Sequence, residues 1–543
     1  MSLVKALTQT SAAERLVAIA LLVLWALIYL PNLRTNPNWY GDEGIVLEEA
    51  WTLAQGEPRY GAMRLNFLVP NPHPPIYLTV LGFSMKIFGN DILVGRALQA
   101  LTGLATGIVA FWVGMRLRGR TFGVVCAVAV LTYPEAAVHF RWTRGHPMQG
   151  LFALACLGFL ICYIQTRRAR DVVLAGLMCT LSVGMHFFAF PLFGIVFLTA
   201  LFVDRRHIFL AVAASLVFPI GFLLWLAVSQ PGGIGGVISQ LTSASAIGFQ
   251  AVQPSIEQEA WRLYRRVAEF VFLTPTVNQR GIVGTDLWIL AGCAGLAFFP
   301  ERRYRKWLIF WALAMMLGVF AARDTVGMFL YQAFGFVPLL AIGFAGILCV
   351  AGDWLAARVP ILPQFMRWVP AIIALSALGM VSIVGSFGHF QTKIDRWTVQ
   401  SSGDAEKVMD FVNHSTGPDD FVVMPDQLFW LYRHERKAQL IQSAVFDFGI
   451  AENLAQGVPK SVYWFDPGIE NARYAVVAAA AGADGQSRGI DAIFWSGYEG
   501  ARKVLEKFQS DKWPVVFASG DYLVLENPRF VKTPSVPPGQ ATP

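Results

Sequence analysis

The sequence predicts a polytopic α-helical membrane protein with an extracytoplasmic α/β domain at its C-terminal end. Three observations predict it. Of 543 residues, 55% are hydrophobic and only 15% are charged, against roughly 25% charged in soluble domains. Apolar stretches long enough to cross a bilayer as helices recur as far as residue 388. Beyond that point the composition turns polar, and short runs alternate as strands do.

The first stretch, "ERLVAIALLVLWALIYLP" (14–31), is followed by no small-residue cleavage site and reads as an uncleaved span rather than a signal peptide. Further spans are expected at 93–115, 121–138, 147–165, 171–187, 188–203, 208–228, 284–299, 307–322, 327–350 and 368–388. The run 74–89 is short and contains Lys86, so it reads as a helix lying along or dipping into the outer leaflet. The clusters "RLRGR" (116–120), "RRARD" (167–171), "DRRH" (204–207), "ERRYRK" (301–306) and "RVPILPQFMR" (358–367) all fall on the side of Lys5 and Arg15. Basic loops stay in the cytoplasm, which puts the N-terminus inside and, after eleven spans, the C-terminus outside.

The outer side then holds a first loop (32–92), a short loop (139–146), a loop (229–283) and the tail from 389. The expected organisation is a transmembrane domain at 1–388, an α/β domain at 389–530 and a disordered end at 531–543. In the tail, "SGDAEKVMDFVNHSTGPDDFVVMPD" reads as helix, turn and strand. "RYAVVAAA", "DAIFWSG", "PVVFASG" and "YLVLENP" read as further strands, and "EGARKVLEKF" as a helix.

Composition also excludes. All six cysteines lie inside apolar runs, so no disulfide or cysteine-metal framework is expected. The net charge of +7 comes from residues flanking apolar runs, where topology accounts for them, so a nucleic-acid partner is not expected. No metal-ligand motif stands out; a divalent metal is possible but not indicated. The partners expected from composition alone are membrane lipids.

Chemistry concentrates in the first outer loop. "NWYGDEGIVLEEAWTLAQGEP" starts at Asn38 and sets Asp42 and Glu43 at the start of a helix. Val46, Leu47, Ala50, Trp51 and Ala54 form its apolar stripe. One reading makes Asp42 the helix cap and Glu43 a partner of the dipole. The other makes one carboxylate a general base, held in place and sheltered from water. "NPHPPIYL" (71–78) then fixes His73 between prolines ahead of the flat helix. Cations at the outer span ends are Arg96, Arg141 and Arg144 of "FRWTRGHP", and Arg323 of "AARDT"; each reads as an anion ligand or as an interfacial snorkelling residue. His146 and His186 lie at outer span ends, either as functional groups or as hydrogen-bonded core histidines. The loop 229–283 carries "EQEAWRLYRRVAEF", a basic amphipathic helix with Trp261 and Tyr264, read as interfacial packing or as a gate.

Taken together, "WYGDEG", the amphipathic helix, "HPP", the flat helix and "GRALQALTGLATGIVAFWVGMRLRGR" resemble the GT-C glycosyltransferases of family 39, which include the protein O-mannosyltransferases and the lipid A aminoarabinose transferases. The resemblance covers the first ~200 residues by motif and the rest by layout. It implies a GT-C fold in a bacterial inner membrane, with the tail domain in the periplasm. It implies a sugar donor on a polyprenyl phosphate and transfer to an acceptor (protein, lipid A, another glycan or a lipid) on the outer face. By resemblance Asp42 is the general base and Glu43 its support. Arg96, Arg141, Arg144 and Arg323 are candidate ligands of the donor phosphate, and His73, His146 and His186 shape the site or touch the acceptor. Relatives often carry an acid in the second outer loop; here His146 stands in that loop, and the nearest acid, Glu135, precedes it. The tail domain is expected to shape acceptor entry. A transporter is the alternative from another class, but transporters set charges mid-span and show repeats, whereas these acids cluster in an outer loop. An oligosaccharide ligase would lean on arginine in its main outer loop, against which the Asp-Glu pair speaks.

Overall fold

A computed structural model describes residues 12–39, 41–56, 75–186, 189–229, 285–321, 335–358, 364–388, 390, 401–432, 438–440, 469–478, 508, 510–520 and 522–531. The chain divides into two compact units. The first comprises Met1–Pro37, Asn71–Val237 and Ala251–Ile394; the second comprises Asn38–Pro70, Ile238–Gln250 and Asp395–Pro543. His73, Arg323, the loop 229–283 beyond Ser229, "DAIFWSG", most of "EGARKVLEKF" and the end of the chain lie outside the described residues.

The first unit is helical. Its elements are α1 (Ala12–Tyr29), α3 (Pro75–Phe88), α4 (Ile92–Arg118), α5 (Arg120–Thr132), α6 (Pro134–His139), α7 (Gly145–Thr166), α8 (Ala169–Met185), α9 (Pro191–Asp204), α10 (Ile208–Ser229), α11 (Thr285–Ala297), α12 (Arg302–Ala321), α13 (Val337–Arg358) and α14 (Val369–Phe387); α2 (Gly41–Ala54) belongs to the second unit. Each stretch expected to span overlaps these helices, but 121–138 is divided between α5 and α6, and for 327–350 the described helix α13 starts only at Val337. By length and composition, five described segments qualify to cross a membrane: Ile92–Arg118, Gly145–Thr166, Pro191–Leu224, Val337–Arg358 and Met366–Phe387. The chain is a multi-pass membrane protein.

The stretch 121–138 is shorter than expected as a single helix. α5 stops at Thr132, Tyr133 turns to φ −61° and ψ 125°, and α6 starts at Pro134. Pro134 has no N–H to continue the ladder, and it drives the preceding residue out of the α region. The freed Thr132 carbonyl accepts from Ser382 Oγ on α14. The short helix α3 buries Tyr77, Leu78, Leu81 and Met85 and exposes Phe83, Ile87 and Phe88, an apolar outer face suited to lipid.

Glycines set the closest helix approach. A Cβ on Gly295 of α11 would stand 1.7 Å from the Gly343 carbonyl oxygen of α13, and a Cβ on Gly343 would stand 2.2 Å from the Gly292 carbonyl oxygen. Backbones meet here without side chains between them, as small residues allow in membrane bundles. At one face of the bundle, Arg118 bonds Glu301 (2.9 Å) and pairs with Asp353, Arg120 pairs with Glu14, and Arg303 donates to the Ile164 carbonyl (3.0 Å). The basic clusters of 116–120 and 301–306 therefore share one face with the end of α7.

In the second unit a five-stranded sheet runs in the order β2-β1-β3-β5-β4, with β1 (Phe421–Met424), β2 (Ala438–Leu440), β3 (Ala472–Ala478), β4 (Val515–Ser519) and β5 (Tyr522–Glu526). β1 runs parallel to β2 and β3, while β5 is antiparallel to β3 and β4. Phe421, Val423, Ala475, Val477 and Leu525 pack with Phe508 and Trp513. The helix α15 (Ser402–Ser415) buries Ala405, Val408, Met409 and Val412 on one stripe. The strands expected within 421–424, 472–478, 515–519 and 522–526 form; β2, only three residues long, was not expected. The carboxyl end of β1 is a topological switch point, the position where open α/β sheets take ligands. Here it runs directly into a 3₁₀ turn, Asp426–Leu431.

Two outcomes test this packing. Gly343→Ala should destabilise the protein by about 1–3 kcal/mol, because the added methyl overpacks a backbone contact. Gly194→Ala in α9, where a Cβ meets nothing within 4 Å, should be neutral or stabilise it by up to ~1 kcal/mol. Thermal unfolding in detergent compares them. In the tail, hydrogen bonds from Ser401 (2.6 Å) and Ser519 (2.8 Å) hold the Asp404 carboxyl below its ordinary value of 3.8. A depressed carboxyl stabilises the fold above that ordinary value, and the contribution is lost as pH falls through the lower, folded value. Asp404→Asn should flatten this acid limb of the melting-temperature profile.

Candidate functional site

The site is built first on the segment that leaves α1. Its backbone is irregular between Leu30 and Pro37, so its carbonyls lack helix partners, and buried carbonyls must find donors. Two arginines supply them. Arg141 donates from Nη1 to the Ile28 carbonyl (2.7 Å), from Nε to the Asn36 carbonyl (2.9 Å) and from Nη2 to the Pro31 carbonyl. Arg96 donates from Nη1 to the carbonyls of Leu33 (3.0 Å) and Pro37 (2.7 Å). Both side chains are fully buried. A guanidinium carries five donors in a fixed fork, which suits it to several carbonyls at once.

The same segment caps the last helix. The final carbonyls of α14 have no partner within the helix. Asn36 Nδ2 donates to the carbonyls of Gly385 (2.7 Å) and Ser386 (3.0 Å), and Asn32 Nδ2 to that of Phe387 (3.0 Å). Asn36 Oδ1 accepts from the Phe390 N–H at 2.9 Å. The residues expected as phosphate ligands at 96 and 141 thus have guanidinium donors engaged by backbone oxygens that fix the entry to the first outer loop.

A second polar group lies at the same ends of α7 and α8. His146 and His186 stack with ring centroids 3.9 Å apart and planes 31° apart, both buried. Arg144, also buried, occupies the N-cap position of α7. Ser182 Oγ donates to the Gln149 carbonyl at 2.9 Å. Gln99 Nε2 donates to the Tyr77 hydroxyl at 2.8 Å. The fold therefore brings His146 and His186 together, although 40 residues separate them in sequence. Gln99, Gln149 and Tyr77 were not singled out from the sequence; two glutamines inside apolar spans were the available signal.

Asp42 and Glu43 sit in the second unit, in the first turn of α2. The helix begins at Gly41, so Asp42 lies inside it rather than at its cap. Glu43, Glu48 and Glu49 are 0%, 1% and 7% exposed, and none of the three stands without a partner. Glu48 and Glu49, polar in the sequence pattern, are buried with Val46, Leu47 and Ala50. α2 packs against the turn Asp426–Leu431, and Trp39 meets Trp430 edge to face at 5.4 Å. Carboxyl groups are buried only where partners offset the lost hydration, so this helix is held in one place. Among the described residues, no group of three or more His, Cys, Asp or Glu is arranged to hold a metal ion.

Comparison with known proteins places this architecture. Residues 72–229 match the family model described as dolichyl-phosphate-mannose-protein mannosyltransferase. No curated protein matches the chain by sequence. Among solved structures, it is similar to ArnT from Cupriavidus metallidurans bound to undecaprenyl phosphate, with a TM-score of 0.63, 15% identity, and 95% of this chain and 98% of that one covered. It is also similar to the Archaeoglobus fulgidus oligosaccharyltransferase in complex with Zn and sulfate, with a TM-score of 0.56, 14% identity, and 90% and 70% covered. The chain shares the fold of these proteins, the GT-C fold.

The arginine arrangement makes a testable demand. Arg141→Leu takes the guanidinium donors from the Pro31 and Asn36 carbonyls, at roughly 1–3 kcal/mol for each group, while the Ile28 carbonyl keeps Ser386 Oγ. The substitution should lower the unfolding temperature sharply, and Arg141→Lys should recover only part, because an ammonium cannot span the fork.

Proposed function

We propose that this protein is a membrane glycosyltransferase that moves a sugar from a polyprenyl phosphate to an acceptor hydroxyl on the outer face of the membrane. The observation that carries the reading is the match of residues 72–229 to the mannosyltransferase model, within a chain whose fold is shared almost end to end with a transferase solved with undecaprenyl phosphate. The buried acidic helix that follows the first span supplies what the chemistry requires.

The reaction is a displacement at the anomeric carbon. The acceptor oxygen forms the new glycosidic bond, the bond from carbon to the phosphate oxygen breaks, and the configuration inverts. Asp42 takes the acceptor proton, and polyprenyl phosphate leaves with the bonding pair. Developing charge on the leaving phosphate needs donors fixed in advance. Arg144 and Arg323 are the arginines proposed for it, with His146 and His186 beside Arg144 in the fold. Arg96 and Arg141 serve by holding the loop entry. His73 belongs to the same proposed site. The membrane is the bacterial inner membrane, with the tail outside.

The tail acquires a different role from the one its sequence suggests. Because α2 packs on the turn after β1, the tail domain supports the proposed base. Truncation after Gly388 should therefore abolish transfer, rather than only alter acceptor choice. Replacement of Asp42 by Asn keeps its size and removes the proton acceptor. Turnover by purified protein of a polyprenyl-phosphate sugar should fall by about 10²–10⁴-fold, with donor binding retained. Glu43→Gln should cost less. Near-normal turnover in Asp42→Asn would refute the assignment of the base.

A further inference from the structure

Two fully buried amides in the first unit carry acceptor oxygens for which the described residues supply no donor. They are Oε1 of Gln99 on α4 and Oε1 of Gln149 on α7. Polar side chains inside helical membrane bundles ordinarily bond across helices, and an unsatisfied buried group in a native fold calls for an explanation. These two are the fully buried amides with such an oxygen among the described residues of the unit, and neighbouring residues link them. The Gln99 amide donates to Tyr77. The Tyr77 ring stands 3.4 Å from where a Cβ on Gly145 would lie, and Gly145 precedes Gln149 by one helical turn on the same face of α7. A Cβ on Gly335 would come within 2.5 Å of Gln149 Nε2, so backbone closes over that amide. The stacked imidazoles of His146 and His186 lie on the same helix ends.

Each unsatisfied atom belongs to an amide, which can present an acceptor or a donor, and that suits a ligand whose groups do either. A metal ion would call for carboxylates or imidazoles in a ligating group, and no group of three or more occurs among the described residues. Neutral hydroxyls fit. We propose that Gln99 and Gln149 hydrogen-bond the hydroxyls of the donor's sugar and so set which sugar is used. This rests on the transferase reading above.

The test uses the purified full chain in nanodiscs and two kinds of probe: undecaprenyl phosphate itself, and undecaprenyl phosphate bearing a panel of hexoses and pentoses. Gln149→Met removes the acceptor and keeps the bulk. It should leave the affinity for undecaprenyl phosphate unchanged, weaken the best sugar-bearing donor by about 10- to 100-fold, and narrow the spread among sugars. Gln99→Met should behave likewise. A second measurement needs no variant: in the wild-type protein, at least one monodeoxy form of the best donor should lose affinity by a similar factor. If both Met variants bind sugar-bearing donors as the wild type does, or if no deoxy form loses affinity, water satisfies these oxygens and the inference is overturned. If the wild-type protein binds neither undecaprenyl phosphate nor any sugar-bearing form, the transferase reading falls, and this one with it.

Discussion

Arg141 and Arg96 hold together the irregular stretch of backbone that leaves α1. Between Leu30 and Pro37 the chain leaves the first span and turns carbonyls into the protein, where buried ones need donors. Two buried guanidiniums, from the loop before α7 and from the first turns of α4, take those oxygens. In return Asn32 and Asn36 cap the last helix of the bundle. First span, last span and two central elements are thereby locked at a single knot. Lysine would not serve, because the arrangement depends on several donors fixed in one plane.

Within the second unit a comparable logic fixes the acids. A helix carrying Glu43, Glu48 and Glu49 in buried positions is tolerable only against a rigid partner. The helix packs on the turn that follows strand β1, with Trp39 edge to face with Trp430. At the carboxyl end of a parallel strand, where α/β domains often take small molecules, this domain receives a piece of its own chain instead.

The bundle interior combines close backbone contact with isolated polarity. Gly292, Gly295 and Gly343 bring α11 and α13 to backbone distance, which excludes water and lowers the local dielectric. In such surroundings a single amide oxygen or imidazole has large energetic weight. That is why Gln99, Gln149 and the His146–His186 pair stand out against an otherwise apolar set of helices.

The helices, their order and the polar tail were legible in the sequence, because the bilayer demands apolar length and basic flanks and the tail strands alternate. The Asp-Glu pair and the outer histidines were legible as motifs beside spans. The break at Tyr133 was foreshadowed by Pro134, yet its place followed from local backbone sterics and not from hydropathy. The carbonyl contacts of Arg96 and Arg141 were not legible, since a charge near a span end reads the same whether it meets a phosphate or a carbonyl. Only the fold decides, by bringing residue 141 to residues 28, 31 and 36. The pairing of His146 with His186, the burial of Glu48 and Glu49, and the attachment of α2 to the turn after β1 likewise depend on contacts between residues far apart in the chain. Local composition carries no record of them.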